Sequence, residues 1–483
     1  MEKFLIKIKK LIPRKMFASL QPAYHFLLSW FSAFIYRHPS EKMIVIGVTG
    51  TTGKTTSTYL IAKTLQGAGF KVGYTSTAMF GDGDKEWLND KKMTMPGRFY
   101  IQKTLAGMAK NGCHFAIVET TSEGVRQFRH RFINYDTLVF TGLYPEHIES
   151  HGGFENYKAA KGALFAHLKK GKTKYANDQK QVVSMAGNLK KLDLNRVKKK
   201  TIINLDDEHA QYFLDFWAEE KFGYSHNIDL KIEDVTVWNY GDVVVSQNGV
   251  KFRFDQTSPK LQGSRSVQIN LGILGGFNAA NAIHALGAGL VEGVTIDKLK
   301  PGLEAINGVP GRLERICAGQ NFLAVVDYAF EPNAITKLYE TIEAMPHNKI
   351  IHVLGATGGG RDSSRRPILG KIAGERAAIV VVTNEDPYDE DPNIIADQVL
   401  IGAEKGGKVI GQNLFKIMDR REAIAKAISF ADAGDVVLVT GKGSEQAICL
   451  ANGEKLAWDD RKILEEEIIK APASAEAMAG EVG

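Results

Sequence analysis

Cysteine is scarce in this chain. Cys113, Cys317 and Cys449 are the three in 483 residues, and they stand far apart in apolar or mixed surroundings. That excludes a dense disulfide framework and any cysteine-based metal spacing, and leaves buried, reduced thiols in a cytosolic protein as the expectation. Net charge is also small: 61 Lys and Arg against 55 Asp and Glu give +6. No region concentrates basic charge as a general nucleic-acid binder would, so nucleic acid is not an expected partner. No internal repeat is present. What remains, 44% hydrophobic and 24% charged residues, suits a soluble globular protein with room for about three domains.

The N-terminus is the exception to this even composition. Lys3, Lys7, Lys9, Lys10, Arg14 and Lys15 interleave with Leu5, Ile8, Leu11 and Ile12. From Met16 to Tyr36 there is then no formal charge, and the stretch ends "HFLLSWFSAFIY". A spanning helix needs about 20 mostly apolar residues; here Gln21, Pro22, His25 and serines dilute the run. A cleaved secretory signal is a further reading of such a start. A basic amphipathic helix followed by an aromatic one reads as an interfacial anchor, so residues 1–40 are expected to touch a membrane surface. A helical hairpin packed on the protein and a true span are the alternatives.

From residue 43 the pattern is strand, turn, helix, repeated. "MIVIGVT", "CHFAIVET" and "YDTLVFTGL" are apolar runs of the length of parallel strands buried on both faces. "KTTSTYLIAKTLQGAG" and "NYKAAKGALFAHLKKG" read as helices closed by glycine. Residues 170–200 are lysine-rich and read as a surface excursion. Residues 230–270 alternate and carry "NYGD" and "QNG", which predicts antiparallel hairpins. "FLAVVDYA", "KIIHVLGA", "AAIVVVTNEDP" and "DVVLVTGKG" predict a second α/β unit. The expected plan is a helical basic and aromatic segment (1–42), a P-loop α/β unit with a β-rich excursion (43–309), a smaller C-terminal Rossmann-like α/β unit (310–470) and a disordered tail (471–483).

Between the first strand and helix lies Val48-Thr49-Gly50-Thr51-Thr52-Gly53-Lys54-Thr55-Thr56. Glycines let backbone amides point inward, the helix N-terminus adds positive potential, and lysine reaches the outer phosphates. Thr55 supplies a hydroxyl for magnesium. The usual spacing asks for glycine five positions before Gly53, where this chain has Val48. Glu119 closes the strand "CHFAIVE", and His147 follows "TLVFTGL". Either residue alone suits a surface or capping role; with the P-loop, in this order, they read as magnesium ligands that offset the charge of phosphate and carboxylate.

The stretch 48–56 resembles the compressed ATP-binding turn of the Mur ligase family, whose members join an amino acid to a carboxylate at the expense of ATP. Within the family the chain is most like the tripeptide synthetases, from about residue 43 to 470. The resemblance implies ATP bound by Gly50, Thr51, Thr52, Gly53, Lys54, Thr55 and Thr56, with one or two Mg2+ ions. "ETTSEG" resembles the family's Glu-x-Ser-Ser-His/Gln-Gly stretch: Glu119 matches a metal ligand, Thr121 and Ser122 match substrate-contacting hydroxyls, and Glu123 replaces His or Gln. His147 matches the metal histidine, and Lys161 the lysine that is carbamylated into an anionic ligand; periodicity alone supports an ordinary surface lysine there. Arg129 matches an arginine that holds the acceptor, and Thr94 in "MTMPG" belongs to the substrate loop, with Met95 replacing a threonine.

Asn278 matches the residue near the adenine, Arg312 one that reaches the phosphates on closure, and Asp327 a ribose acceptor. Lys442 and Glu445 lie in "GKGSEQ", which continues the match on the amino-acid side, where Ser444 replaces a histidine and Phe330 another. In "TNEDPYDEDP", Tyr388 occupies the place of the arginine that clamps the distal carboxylate of meso-diaminopimelate. A hydroxyl cannot replace a bidentate guanidinium. Glu385, Asp386 and Asp389 would rather attract a cation, which favours lysine or another basic amino acid; a solvated acidic loop is the alternative. Ordinary members also carry about a hundred residues before the P-loop for the UDP part of the acceptor, about a domain's worth, where this sequence has residues 1–42.

The resemblance implies an ATP-dependent carboxylate–amine ligase of peptidoglycan synthesis acting through an acyl phosphate, with an amino acid and a muramyl peptide or similar carboxylate as partners, in the cytoplasm; the basic and aromatic start adds the inner face of the membrane as the expected place. A related ligase making a peptide-like polymer or modifying a lipid-linked precursor is the second reading. An ATP-binding scaffold without ligation is the third.

Overall fold

The structure is a computed structural model that describes residues 14–91, 93–145, 151–183, 194–257 and 264–471. Side chains before residue 21 and that of Ser264 are outside the description. So are His147 and residues 472–483, which hold nearly all of the expected tail.

The predicted apolar runs form strands. β1 (Ile44–Thr49), β2 (Val72–Thr75), β3 (Met79–Asp82), β4 (Glu86–Leu88), β5 (Phe115–Glu119) and β6 (Thr137–Phe140) form one side of a large sheet. β7 (Lys174–Ala176) and β8 (Asn195–Val197) make a separate ribbon. β9 (Lys200–Asn204), β10 (Glu220–Ser225), β11 (Val235–Ser246), β12 (Gly249–Thr257) and β13 (Ser264–Leu271) complete the sheet in the order β13-β12-β11-β10-β9-β6-β1-β5-β2-β3-β4. From β11 through β10, β9, β6, β1 and β5 to β2 the sheet is parallel, and the pairs at its edges, β11–β12–β13 and β2–β3–β4, are antiparallel. Every residue of β1, β5 and β6 is buried, which is why these strands read as unbroken apolar runs. The β-rich excursion therefore extends this sheet. "QNG" makes the β11–β12 turn, whereas "NYGD" is a register shift between Gly241 and Val244 within one strand, with Asp242 at φ 53°; a bulge and a turn share the same residue preferences.

The helices Lys54–Gly67 and Asn278–Val291 pack together over one face, in a core with Ile46, Val48, Ile61, Leu65 and Leu286. A second sheet has the order β14-β15-β19-β16-β17-β18 and is parallel except for β14: β14 (Glu314–Ile316), β15 (Leu323–Asp327), β16 (Ile350–Leu354), β17 (Ile379–Val382), β18 (Leu414–Lys416) and β19 (Val436–Thr440). β20 (Ala447–Cys449) and β21 (Lys455–Ala457) form a hairpin beside it.

Two expectations change. The lysine-rich stretch 170–200 is not all surface: Lys174 and Lys199 are buried and donate to opposite oxygens of buried Asp136 (2.5 and 2.9 Å), and Lys200 pairs with Glu292 (2.9 Å). Burial, opposed by Asp136, brings the Lys174 pKa down to about 8. At the N-terminus, Arg14–Ile35 is one helix with Pro22 inside it, the basic stretch 1–13 lies outside the described residues, and no helix among the described residues is long and apolar enough to cross a membrane. It lies on the helix Arg98–Lys110 through Phe31 and Phe99 (6.2 Å), and on the loop that follows the helix Ser122–Arg126 through Ser29, which donates to Phe128 O (2.9 Å), and through Phe26 against Phe132 (5.4 Å). Phe26, Leu27, Trp30, Phe31, Phe34 and Ile35 remain exposed.

Candidate active site

The parallel order places β5 and β6 on either side of β1, so the chain reverses its winding direction there. Ligands of open α/β sheets sit at such a crevice, outside the carboxyl ends of the strands. Thr49, Glu119 and Phe140 end these three strands, with Glu119 in register with Val48. Val48 is inside the strand and fully buried, which explains why a side chain replaces the usual glycine.

The turn between β1 and its helix is pinned to the exit of β6. Thr51 N–H donates to Gly142 O (2.8 Å), and Thr141 Oγ1 donates to Thr52 O (2.6 Å). Gly50 (φ 154°) and Gly53 (φ 78°) adopt conformations that side chains rarely take, and a Cβ at Gly50 would lie 2.0 Å from Thr141 Oγ1. Lys54 begins the helix and donates to Thr51 O, and Thr55 and Thr56 follow in its buried first turn. The result is a cradle of backbone amides at a helix N-terminus, which fits a polyphosphate.

Glu119 is buried and held on several sides. Thr55 Oγ1 donates to its carboxylate (3.0 and 3.1 Å), as do Thr77 N–H (2.8 Å) and Thr77 Oγ1 (3.0 Å). Thr94 Oγ1 meets Thr77 Oγ1 at 2.7 Å. A threonine hydroxyl and a carboxylate beside a phosphate cradle are the hard oxygen donors that Mg2+ takes, so the residues present fit that ion. No group of three or more His, Cys, Asp or Glu side chains that could hold a metal occurs among the described residues. Lys161, read from periodicity as surface, is buried; its Nζ donates to Gly50 O (2.6 Å) and lies 4.6 Å from the Tyr157 ring centre. A carbamate keeps one N–H on that nitrogen, so this bond and an anionic ligand are compatible.

Other expected residues have further duties. Thr121 caps the helix Ser122–Arg126 by accepting from Gly124 N–H (3.1 Å). Ser122 Oγ meets His151 Nε2 at 3.1 Å. Arg129 donates to Met95 O, beside Thr94, and to Gln127 Oε1 (2.6 Å). Asn278 donates to Leu274 O (2.6 Å) and accepts from Asn281, whose Oδ1 accepts from Ser57 in the P-loop helix (3.0 Å). Asp327 accepts from Leu313 and Ala329 N–H (both 2.7 Å), tying down the start of the second unit, and burial raises its pKa. The Arg312 guanidinium stacks over Tyr328 (4.5 Å).

The acidic loop 385–389 is engaged within the chain. Buried Lys442 donates to Asp386 Oδ1 (2.8 Å) and to Glu445 (2.6 Å), and Cys449 N–H also donates to Asp386 (2.6 Å). Asp389 accepts from Asn452 N–H (2.8 Å), and burial raises the pKa of Glu385. Asp386 thus already has a cation, which revises its reading as a lure for a basic substrate. Tyr388 sits at φ 52° with its N–H on Cys449 O (3.1 Å).

Two participants went unmarked in the sequence. Thr77 follows β2 at the same carboxyl edge, so its position after a strand was the available signal. His151 lies four residues past His147 in the same segment, and spacing alone did not separate the two.

The sequence matches the Mur ligase middle domain over residues 48–289 and the Mur ligase glutamate ligase domain over residues 311–443. It is 35% identical over 435 residues to a UDP-N-acetylmuramyl-tripeptide synthetase of Roseiflexus sp. (strain RS-1), covering 89% of this chain and 79% of that protein. It is 32% identical to a UDP-N-acetylmuramoyl-L-alanyl-D-glutamate--2,6-diaminopimelate ligase of Syntrophomonas wolfei, covering 91% and 81%. Among solved structures, a diaminopimelate ligase of the same kind superposes with TM-score 0.57 at 28% identity, covering 88% of this chain and 78% of that one. MurF from Acinetobacter baumannii shares the fold with TM-score 0.60 at 16% identity, covering 86% and 77%. The chain therefore belongs to the Mur ligase family. Like that family, it is an ATP-dependent ligase that forms a carbon–nitrogen bond, with an α/β fold of central and C-terminal units.

Proposed function

We propose that this ligase adds an amino acid to the free carboxylate of a muramyl dipeptide-type acceptor. The observation that carries the reading is the unbroken line of contacts Thr55–Glu119–Thr77–Thr94, which runs from the phosphate cradle to the substrate loop. An acceptor carboxylate oxygen attacks the γ-phosphorus, and ADP leaves. The amine nitrogen then attacks the acyl carbon, loses a proton, and inorganic phosphate departs with that carboxylate oxygen. Lys54 and Arg312 neutralise the phosphates, and Gly50–Gly53 orient them through backbone amides. Thr55 and Glu119 would hold Mg2+, with carbamylated Lys161 and His147 as further ligands; when bound, the ion supplies the positive charge that lets two anions meet.

Asn278 and Asp327 are proposed to border the adenosine, Thr121, Ser122 and Arg129 the acceptor, and Lys442, Glu445, Asp386 and Tyr388 the incoming amino acid. Tyr388 offers no charge to a distal carboxylate, which disfavours meso-diaminopimelate. ADP release measured across a panel of amino acids, with UDP-linked and lipid-linked acceptors, tests the reading. Release should require acceptor and amino acid together; release with neither would leave only an ATPase or a scaffold.

A second element of the proposal concerns place. The exposed aromatic face of Arg14–Ile35, preceded by a lysine-rich sequence, suits the inner surface of an anionic membrane.

A further inference from the structure

We propose that His25 and Arg98 extend the Arg129 contact with the acceptor into an oxyanion subsite for its non-reacting anionic group, so that the N-terminal helix contributes directly to substrate recognition. The proposal rests on the acceptor reading above, and its argument begins with how the helix is anchored. Ser29 Oγ donates to Phe128 O (2.9 Å) and to His25 O one turn back (2.9 Å). This sets His25 beside the loop 127–129, where the charges of Arg98 and Arg129 reach it.

Both guanidiniums are hooked onto one residue: Arg98 Nη2 donates to Gln127 O (2.6 Å) and Arg129 Nη2 to Gln127 Oε1 (2.6 Å). Each keeps a buried Nε without a hydrogen-bond partner among the described residues, and so do both ring nitrogens of His25. Polar atoms buried in this way are rare in folded proteins and call for an explanation. The carboxylate that faces the group, Glu123, is exposed and shared with Arg126 (3.5 Å) and Gln127 Nε2 (2.6 Å). Two crowded guanidiniums with spare N–H groups bind a carboxylate or phosphate well, because their planar forks match its oxygens. Burial and both arginines lower the His25 pKa to about 4, so at neutral pH the ring donates one N–H without a third positive charge.

The location fits the acceptor. Arg129 also donates to Met95 O, and neighbouring Thr94 leads through Thr77 to Glu119. An acceptor ending in glutamate has two carboxylates: one reacts, and the other needs a holder. A diphosphate offers the same oxyanion chemistry.

The full chain is tested in two ways. In steady-state turnover, Arg98→Gln should raise the acceptor KM about tenfold or more, and His25→Gln by several-fold, with the KM for ATP and amino acid within about twofold. Arg98→Lys, which keeps the charge but loses the fork, should fall between. In calorimetry without nucleotide, N-acetyl-L-alanyl-D-glutamate and inorganic pyrophosphate are titrated separately; the one wild type binds identifies the oxyanion, and Arg98→Gln should weaken it. Unchanged acceptor KM and probe affinity in Arg98→Gln and His25→Gln would overturn the subsite, as would wild type binding neither probe. A wild type that binds a probe through Arg98 but never ligates would keep the subsite and refute the ligase reading.

Discussion

Glu119 shows how a single carboxylate is prepared for a cation. Thr55 reaches it from the phosphate cradle, and Thr77 fixes it from β2. Partners that orient a metal ligand typically govern metal affinity or activity by 10–100-fold. Thr77→Val should therefore raise the Mg2+ concentration needed for half-maximal ATP turnover by about tenfold or more, while nucleotide binding without metal stays near wild type. An unchanged Mg2+ requirement would remove Thr77 from the site. His284 shows a different kind of constraint. Its ring meets Ser57 Oγ of the P-loop helix (2.8 Å) and Tyr224 Oη (2.7 Å), and burial lowers its pKa to about 3. The unfolded chain takes up this proton near the ordinary pKa of 6.5, well before the folded one. The stabilisation is thus complete above that value and is lost as pH falls toward 3, by up to about 1.4 kcal/mol per pH unit. Thermal midpoints at pH 7.5 and 5.5 should differ less in His284→Gln than in wild type; an equal difference would contradict the shift.

At the scale of elements, β1, β5 and β6 were readable because strands buried on both faces must be apolar throughout. The pairing of Lys174 and Lys199 with Asp136 was not, because Asp136 is distant in sequence and lysine runs normally face water. Thr77 and His151 escaped for a similar reason: their partners Glu119 and Ser122 are brought to them only by the sheet and its loops. The helix Arg14–Ile35 was legible as an aromatic run, but its docking depended on ring contacts with Phe99 and Phe132. Its remaining exposed face gives a direct expectation. The full chain should co-sediment with phosphatidylglycerol-containing vesicles, and Trp30→Ser with Phe34→Ser should reduce the bound fraction several-fold. Equal sedimentation of the pair variant and wild type, or no binding by wild type, would contradict membrane contact.

Across the whole molecule, the two α/β units are joined by side-chain contacts, one of which reaches the site. Lys337 of the second unit lies 4.1 Å from the ring centre of Tyr144, whose N–H donates to Thr51 Oγ1 in the phosphate turn (3.2 Å). Gln247 donates to Pro346 O (2.6 Å), and Arg315 to Gln247 O (2.8 Å). The nucleotide cradle and the proposed amino-acid side are thereby linked, as a reaction needing both requires. That reaction has a distinctive oxygen balance: the acceptor carboxylate gives up one oxygen to phosphate. Turnover of UDP-N-acetylmuramoyl-L-alanyl-D-glutamate labelled with 18O in the reacting carboxylate, with ATP and the amino acid found by screening, follows that oxygen directly. The account predicts one labelled oxygen in each inorganic phosphate released; unlabelled phosphate would contradict it.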